Sequence, residues 1–308
     1  MKLKIRPWKL CILLVLVCVV AMGAVEFRRR VGNTSDAALL RRLPGGDGMH
    51  VFLDVSALRD SGLLNTIAGS PAMEETEYVE FTKATGFDYR DDLHAVIASF
   101  TKERSLFVLR GRFNWDLIRT YSQDQGAKCL NGYCHLESTR GGRFVSFFPV
   151  FPTVLAVGVA NDTAAAYEML RKHDTPDSLA APPQPFWLSL SAAYLADPGD
   201  LPPGLKAVLS ALKRAKRVTL SVGADGATLD AEMRAECGSR DDASRIKDEL
   251  EQVTETLKKF IARAKQSPNP RDLSGVLTAG QFEIKDHQVV GRWPIQRVFL
   301  ESLASGSL

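Results

Sequence analysis

Apolar and polar residues alternate in a regular way between residues 45 and 305, and the pattern predicts strands separated by helices. A strand is predicted where apolar residues recur at every second position or form a short run bounded by turn residues. The predicted strands are residues 50–58, 93–100, 105–113, 143–150, 153–159, 186–191, 217–222, 227–236, 276–284 and 288–293. Apolar spacings of three and four residues predict helices at 60–85 (with a break near Pro71), after the N-cap Asn114, and at 162–173, 205–213, 241–265 and 294–304.

A proline-rich segment at residues 174–185 divides this pattern into two similar parts. Four prolines in twelve residues remove backbone donors and exclude helix or sheet interior, which is typical of a linker. We therefore expect one module at residues 45–173 and a second at 186–305. The predicted fold class is α+β, with two similar modules of mixed or antiparallel sheet and helices packed on one face, after an N-terminal transmembrane helix.

The first thirty residues have the pattern of a membrane-targeting segment. Four basic residues precede an apolar run from residue 10 to 25, and three arginines follow at 28–30. Residues 10–27 are long enough to cross a thin bilayer, so we expect a membrane anchor at 1–30 and a spacer at 31–44. The alternative is a signal peptide that is cleaved near Gly23.

The distribution of basic residues indicates the orientation and excludes one class of partner. The excess of Lys and Arg before the apolar run favours a cytoplasmic N-terminus and an extracytoplasmic body, which is periplasmic if the host is bacterial. Residues 1–30 contribute +6 to a net charge of +3, which leaves −3 for the remainder. The body therefore lacks the basic surface that a nucleic-acid partner requires.

Cys129 and Cys134 enclose the sequence Leu-Asn-Gly-Tyr, which predicts a tight β-hairpin. If Asn131 and Gly132 form the turn, the two cysteines are directly opposite on adjacent strands, at a separation that a disulfide tolerates. A disulfide would agree with an extracytoplasmic body. The alternative is a pair of reduced strand cysteines.

No catalytic, metal-binding or cofactor-binding motif is recognisable. Cys129, Cys134 and His135 could in principle attach haem or bind zinc, but adjacent hairpin residues point to opposite faces of a strand. We therefore expect no cofactor and no metal. An unrecognised hydrolase or redox enzyme remains a less favoured alternative.

Two apolar groups have the character of interaction surfaces. Phe147, Phe148 and Phe151 lie in a phenylalanine-rich segment and form a candidate patch for a ligand or partner. In the long helix, apolar residues at 246, 250, 253, 257, 260 and 264 follow a heptad spacing. This spacing is typical of packing on a sheet, and it also suits self-association.

The chain resembles a group of bacterial envelope proteins of unknown function, which have an N-terminal anchor and a duplicated α+β ectodomain. The resemblance lies in residues 50–58, 81–100, 110–121, 218–236 and 241–253. It implies no catalytic residues.

These observations predict a non-catalytic, membrane-anchored extracytoplasmic protein that binds a partner or serves as a scaffold in the cell envelope. The partner is expected to be an envelope protein or a second copy of the chain. The alternative is a carrier of a lipid or another hydrophobic ligand, using the phenylalanine-rich segment.

Overall fold

The computed structural model describes residues 34–44, 48–68, 76–138, 141–171, 173, 184–197, 203–225 and 228–304. In this part of the chain twelve strands form one antiparallel sheet, and helices pack against it. The strands are β1 (Met49–Asp54), β2 (Leu93–Phe100), β3 (Ser105–Gly111), β4 (Lys128–Leu130), β5 (Tyr133–Glu137), β6 (Phe144–Phe151), β7 (Val154–Ala160), β8 (Phe186–Ser191), β9 (Arg217–Asp225), β10 (Thr228–Glu236), β11 (Gln281–Lys285) and β12 (Gln288–Ile295). The fold is therefore mixed α+β with a large antiparallel sheet.

The helices lie before β1, between the strands and after β12. They are α1 (Asp36–Leu40), α2 (Val55–Asp60), α3 (Leu63–Ala68), α4 (Thr76–Thr85), α5 (Tyr89–Asp92), α6 (Trp115–Asp124), α7 (Ala192–Ala196), α8 (Pro203–Ala211), α9 (Arg240–Arg263), α10 (Leu273–Thr278) and α11 (Arg297–Ala304). A 3-10 helix covers Ala165–Leu170. Asn114 caps α6 as predicted, since its side chain accepts a hydrogen bond from the Leu117 amide.

The two halves of the chain use the same strand order and join in the middle of the sheet. The first half is ordered β1-β2-β3-β7-β6-β5-β4, and the second half is ordered β8-β9-β10-β12-β11. Without the β4–β5 hairpin, the two orders are equivalent. Because β1 pairs with β8, the halves form one continuous sheet.

The main hydrophobic cores of the two halves lie on opposite faces of the sheet, and α2 and α3 form a smaller apolar cluster with Leu53 and Val96. Phe52 pairs directly with Trp187, and both lie in the first core with α1 and the 3-10 helix. We call the face that carries them face 1. Leu190 lies three residues after Trp187 and therefore on the other side, face 2, where it packs in the second core with α8 and α9.

Among the element boundaries that differ from the predicted ones, three have a direct explanation in hydrogen bonding or strand pairing. The first strand ends at Asp54, because the Asp54 side chain accepts a hydrogen bond from the Ala57 amide and starts α2. Residues 276–278 belong to α10, which Asp272 caps in the same way. Pro294 lies in β12 opposite Asp230, and α11 begins only at Arg297.

The predicted anchor at residues 10–27 lies outside the described residues, as do the cleavage position near Gly23 and most of the linker at 174–185. Within the described ranges, none of the helices combines the length and the apolar character that crossing a membrane requires.

Candidate functional site

A row of apolar side chains runs across face 2 of the first half. Strand pairing places these residues directly opposite one another, from β1 through β2, β3 and β7 to β6. The residues are Val51, Ala98, Phe107, Val157 and Phe147, and we call them the apolar row. Ala98 is buried, but the four larger side chains are only half-buried. Most residues beside the row on this face are also apolar, with Ser105 as an exception, and the Phe100 and Phe107 rings make an edge contact with centroids 5.5 Å apart.

The second half has the opposite character on its own uncovered face. There Glu232 lies on face 1, because it pairs directly with Ser221, which in turn pairs with Trp187. The Glu232 carboxylate accepts hydrogen bonds from Arg234 at 2.7 Å and Arg292 at 3.4 Å. Desolvation opposes ionisation of Glu232, but these two arginines hold its pKa below the ordinary value. This face is typical of a sheet that meets water, whereas the apolar row is not.

The phenylalanines singled out from the sequence are not brought together on one surface. Phe147 belongs to the apolar row on face 2. Phe148 points to face 1 and is buried in the first core. Phe151 is half-buried against the same core, with the Arg42 guanidinium 5.0 Å from its ring centroid.

The β4–β5 hairpin has the predicted register at the edge of the sheet. Asn131 and Gly132 have φ values of 51° and 81°, which a type I′ turn requires. Cys129 and Cys134 are directly opposite, with their Cα atoms 4.1 Å apart and their sulfurs bonded to each other. Cys134 also pairs with Phe147, so this disulfide continues the line of the apolar row. The third described cysteine, Cys237, is buried as a free thiol, and burial raises the pKa of that thiol.

A buried polar group lies at the junction of the two halves, and local sequence gave no indication of it. His50 is fully buried on face 1, where its Nε2 donates to the Pro44 carbonyl at 3.1 Å and lies 3.5 Å from the Ser99 hydroxyl. Across the junction, the buried Arg217 donates to the Ser189 hydroxyl at 3.0 Å. Burial lowers the pKa of His50; the Pro44 contact opposes this and the positive charge of Arg217 adds to it.

This histidine and serine do not form the arrangement that a hydrolase uses. A nucleophilic serine must be accessible to substrate and must hydrogen-bond to a histidine that is free to take its proton. Ser99 is 3% exposed, and Pro44 already occupies the nearer histidine nitrogen. We therefore assign the group a structural role.

The other histidines are dispersed. His94 lies on β2, His135 on β5, His173 beside the 3-10 helix and His287 in the β11–β12 turn. Within the described ranges, no three side chains of His, Cys, Asp or Glu come close enough together to hold a metal ion.

A cleft of about 420 Å³ lies between α8 and α9 on the surface of the second half. Its lining includes Ala207, Ala211, Val253 and Leu257, with Glu249 and Thr256 at the polar side. The apolar residues of α9 that follow the predicted heptad spacing therefore have two different environments. Ile246 and Leu250 are buried on the sheet, whereas Phe260 is 73% exposed beyond the cleft.

Comparison with known proteins gives a resemblance at the level of structure only. No protein-family model matches the chain, and no curated protein matches it. Crystal form I of TP0453 aligns over 87% of this chain and 97% of its own, with 13% sequence identity and a TM-score of 0.48. Crystal form III aligns over 87% and 97% with 10% identity and a TM-score of 0.46, and crystal form IV over 87% and 96% with 9% identity and a TM-score of 0.45. Similarity at this level says nothing about function.

Proposed function

We propose that this protein is a non-catalytic, membrane-anchored binding or scaffold protein of a bacterial cell envelope, with its body outside the cytoplasm. The observation that carries the proposal is the apolar row on face 2 of the first half. Four apolar side chains remain partly exposed there, whereas the corresponding exposed face of the second half bears ion pairs. An apolar surface of this kind is typical of a site that receives another molecule.

The location rests on the N-terminal pattern and on the cysteine pair. The basic flanks and the apolar run at residues 10–27 support an anchor with a cytoplasmic N-terminus. A disulfide between Cys129 and Cys134 would persist only outside the cytosol. The equivalent strand orders of the two halves further suggest that the body arose by internal duplication.

A photoreactive phenylalanine analogue at position 107 tests the proposal in intact cells. Phe107 lies in the middle of the apolar row, between Ala98 and Val157. The matched control carries the same analogue at Arg234, which is exposed on the ion-paired face of the second half. We expect position 107 to crosslink to one reproducible envelope protein, and position 234 to crosslink to none.

A second variant tests whether the crosslinked partner contacts the apolar row itself. With the analogue placed at Phe147 instead, the substitution Phe107→Ser should lower the crosslinking yield, because both residues would contact the same partner. Equal labelling from positions 107 and 234, or no labelling from either, would contradict the proposal.

The carrier alternative is favoured by one observation, the presence of Phe147 within the apolar row. It predicts that the analogue at position 107 labels lipid rather than protein. The adduct would then be found by mass spectrometry of the purified chain. The two functions therefore give different products in the same experiment.

A further inference from the structure

The long helix α9 carries a row of five residues along the side that borders the cleft with α8 and continues beyond it. The residues are Glu249, Val253, Thr256, Phe260 and Arg263. They are spaced by four, three, four and three positions, so they lie on one stripe of the helix, and we call them the outer row. Three of them line the cleft against α8, and Phe260 lies beyond it with 73% of its surface exposed.

The two ends of the outer row carry opposite charges at equal distances from its centre. Glu249 is seven residues before Thr256 and Arg263 is seven residues after it, which is about 10.5 Å in each direction. Within the described part of the chain neither residue forms an ion pair. Two ion pairs lie elsewhere on the same helix, between Lys247 and Glu251 and between Lys258 and Glu255.

We propose that α9 pairs antiparallel with α9 of a second copy of this chain, about a two-fold axis that passes beside Thr256. This arrangement brings Glu249 of each copy to the same height as Arg263 of the other. It also brings Phe260 of each copy to within one residue of the height of Val253 of the other, where the cleft between α8 and α9 accepts the ring. The contact is isologous, because the same residues act on both sides.

The charge pattern is what identifies a second copy as the occupant. A two-fold interface requires a surface that is complementary to itself, and a row with one acidic and one basic end satisfies this only when the two rows run in opposite directions. A parallel pair would instead place Glu249 against Glu249 and Arg263 against Arg263. The apolar residues between the charges provide the buried centre that an interface needs.

The outer row belongs to the second half, and the apolar row of the proposed function belongs to the first. The two surfaces use different residues. Failure of the self-association therefore leaves the proposed function unaffected, and the reverse also holds.

Crosslinking at the proposed axis tests the arrangement directly. The variant Thr256→Cys is made in the full-length chain and treated in native membranes with a short bis-maleimide, and the dimer band is compared with that of the unsubstituted chain. The control is Ala262→Cys. Ala262 is also exposed, but it lies about 180° around the helix axis from Val253, on the opposite side of the helix. We expect a dimer from position 256 and only background from position 262. A dimer band at background level from both positions would overturn the proposal, and so would a crosslink from position 256 to a different protein.

Charge exchange tests the antiparallel register. In the Thr256→Cys background, Glu249→Arg or Arg263→Glu places like charges opposite each other twice per dimer. Each single change should lower the yield of crosslinked dimer about fivefold or more. The double variant, Glu249→Arg with Arg263→Glu, should restore the yield to within about twofold, because the pairs are re-formed with exchanged signs. If the double variant is no better than the single ones, the proposed register is wrong.

Discussion

The Ser146 hydroxyl is fully buried between β6, β7 and the 3-10 helix. It donates a hydrogen bond to the Gly158 carbonyl at 3.3 Å and accepts one from the Ala166 amide at 3.1 Å. Gly158 is needed at this point, because a Cβ there would lie only 2.7 Å from the Ala166 nitrogen. One small polar side chain and one glycine therefore fix the distance between the sheet and the 3-10 helix.

Removing this hydroxyl should destabilise the protein. In Ser146→Ala the Ala166 amide remains buried without a partner, and we expect a loss of about 1–3 kcal/mol in the free energy of unfolding. Urea denaturation measures the loss. The matched control is Ser105→Ala on β3, a half-exposed strand serine, which should change stability by less than about 0.5 kcal/mol. Equal effects of the two substitutions would show that the Ser146 contacts are unimportant.

His50 should make stability depend on pH. Burial lowers the pKa of His50 in the folded state below that in the unfolded state, so the unfolded chain binds the proton more readily between the two values. The contribution of His50 is therefore fully present above a pH of about 6.5 and is lost as the pH falls below it. The slope from this one group is at most about 1.4 kcal/mol per pH unit.

Urea denaturation at pH 7.5 and pH 5.5 measures this dependence in the unsubstituted chain and in His50→Gln. Desolvation lowers the pKa of His94 as well, and this effect is retained in both proteins, so the difference between them reports His50 alone. We expect a smaller loss of stability on acidification in the variant. An identical loss in both proteins would mean that His50 takes up its proton in the folded state as readily as in the unfolded state.

At the scale of elements, local chemistry explains both the successes and the failures of the sequence analysis. The β4–β5 hairpin was predicted with the right pairing, because Asn131 and Gly132 fix its turn, and β2 and β3 were predicted as two consecutive strands. Residues 55–58 of α2 and 276–278 of α10 were predicted as strand, because their apolar residues alone suit either structure. In both cases an aspartate decides, Asp54 or Asp272, by accepting an amide hydrogen bond at the start of the helix.

The β4–β5 hairpin leads to a prediction about its cysteines. If Cys129 and Cys134 are joined as in the structure, the chain unfolded without reductant should bind three maleimides, at Cys11, Cys18 and Cys237. After reduction it should bind five. Mass spectrometry of protein taken from its native compartment counts the adducts. Five adducts without reductant would show that the pair is reduced there and would weaken the extracytoplasmic location.

At the scale of the whole molecule, the feature that the sequence could not predict is the junction of the halves. Pairing of β1 with β8 joins residues more than 130 positions apart, and no local pattern encodes such a contact. The apolar row has the same origin, because it exists only when β1, β2, β3, β7 and β6 lie side by side. The row could be suspected from β2, β3 and β7, which carry apolar residues on both faces rather than on alternate ones.

The junction also makes the two halves dependent on each other. Trp187 belongs to the second half by position in the chain, but it is 1% exposed within the core of the first half. Its ring stacks on Phe52 with centroids 6.0 Å apart. The central strands therefore contribute to both cores, Trp187 to one and Leu190 to the other. We expect the body to unfold in a single transition, although the chain contains two similar parts.

Trp187→Ala tests this dependence, because it removes a second-half side chain from the first-half core. It should lower the free energy of unfolding by about 3–5 kcal/mol.

Fluorescence can follow each half in turn in this variant. Trp8 is replaced by Phe, and one of the two remaining tryptophans, Trp115 or Trp293, is also replaced, so that the other is the only reporter. Trp115 reports on the first half and Trp293, in the second core, on the second. Both reporters should show the same lowered urea midpoint, because loss of the first core removes β1 from the edge of β8. A midpoint that falls for Trp115 and stays unchanged for Trp293 would instead mean that the two halves fold as separate units within one sheet.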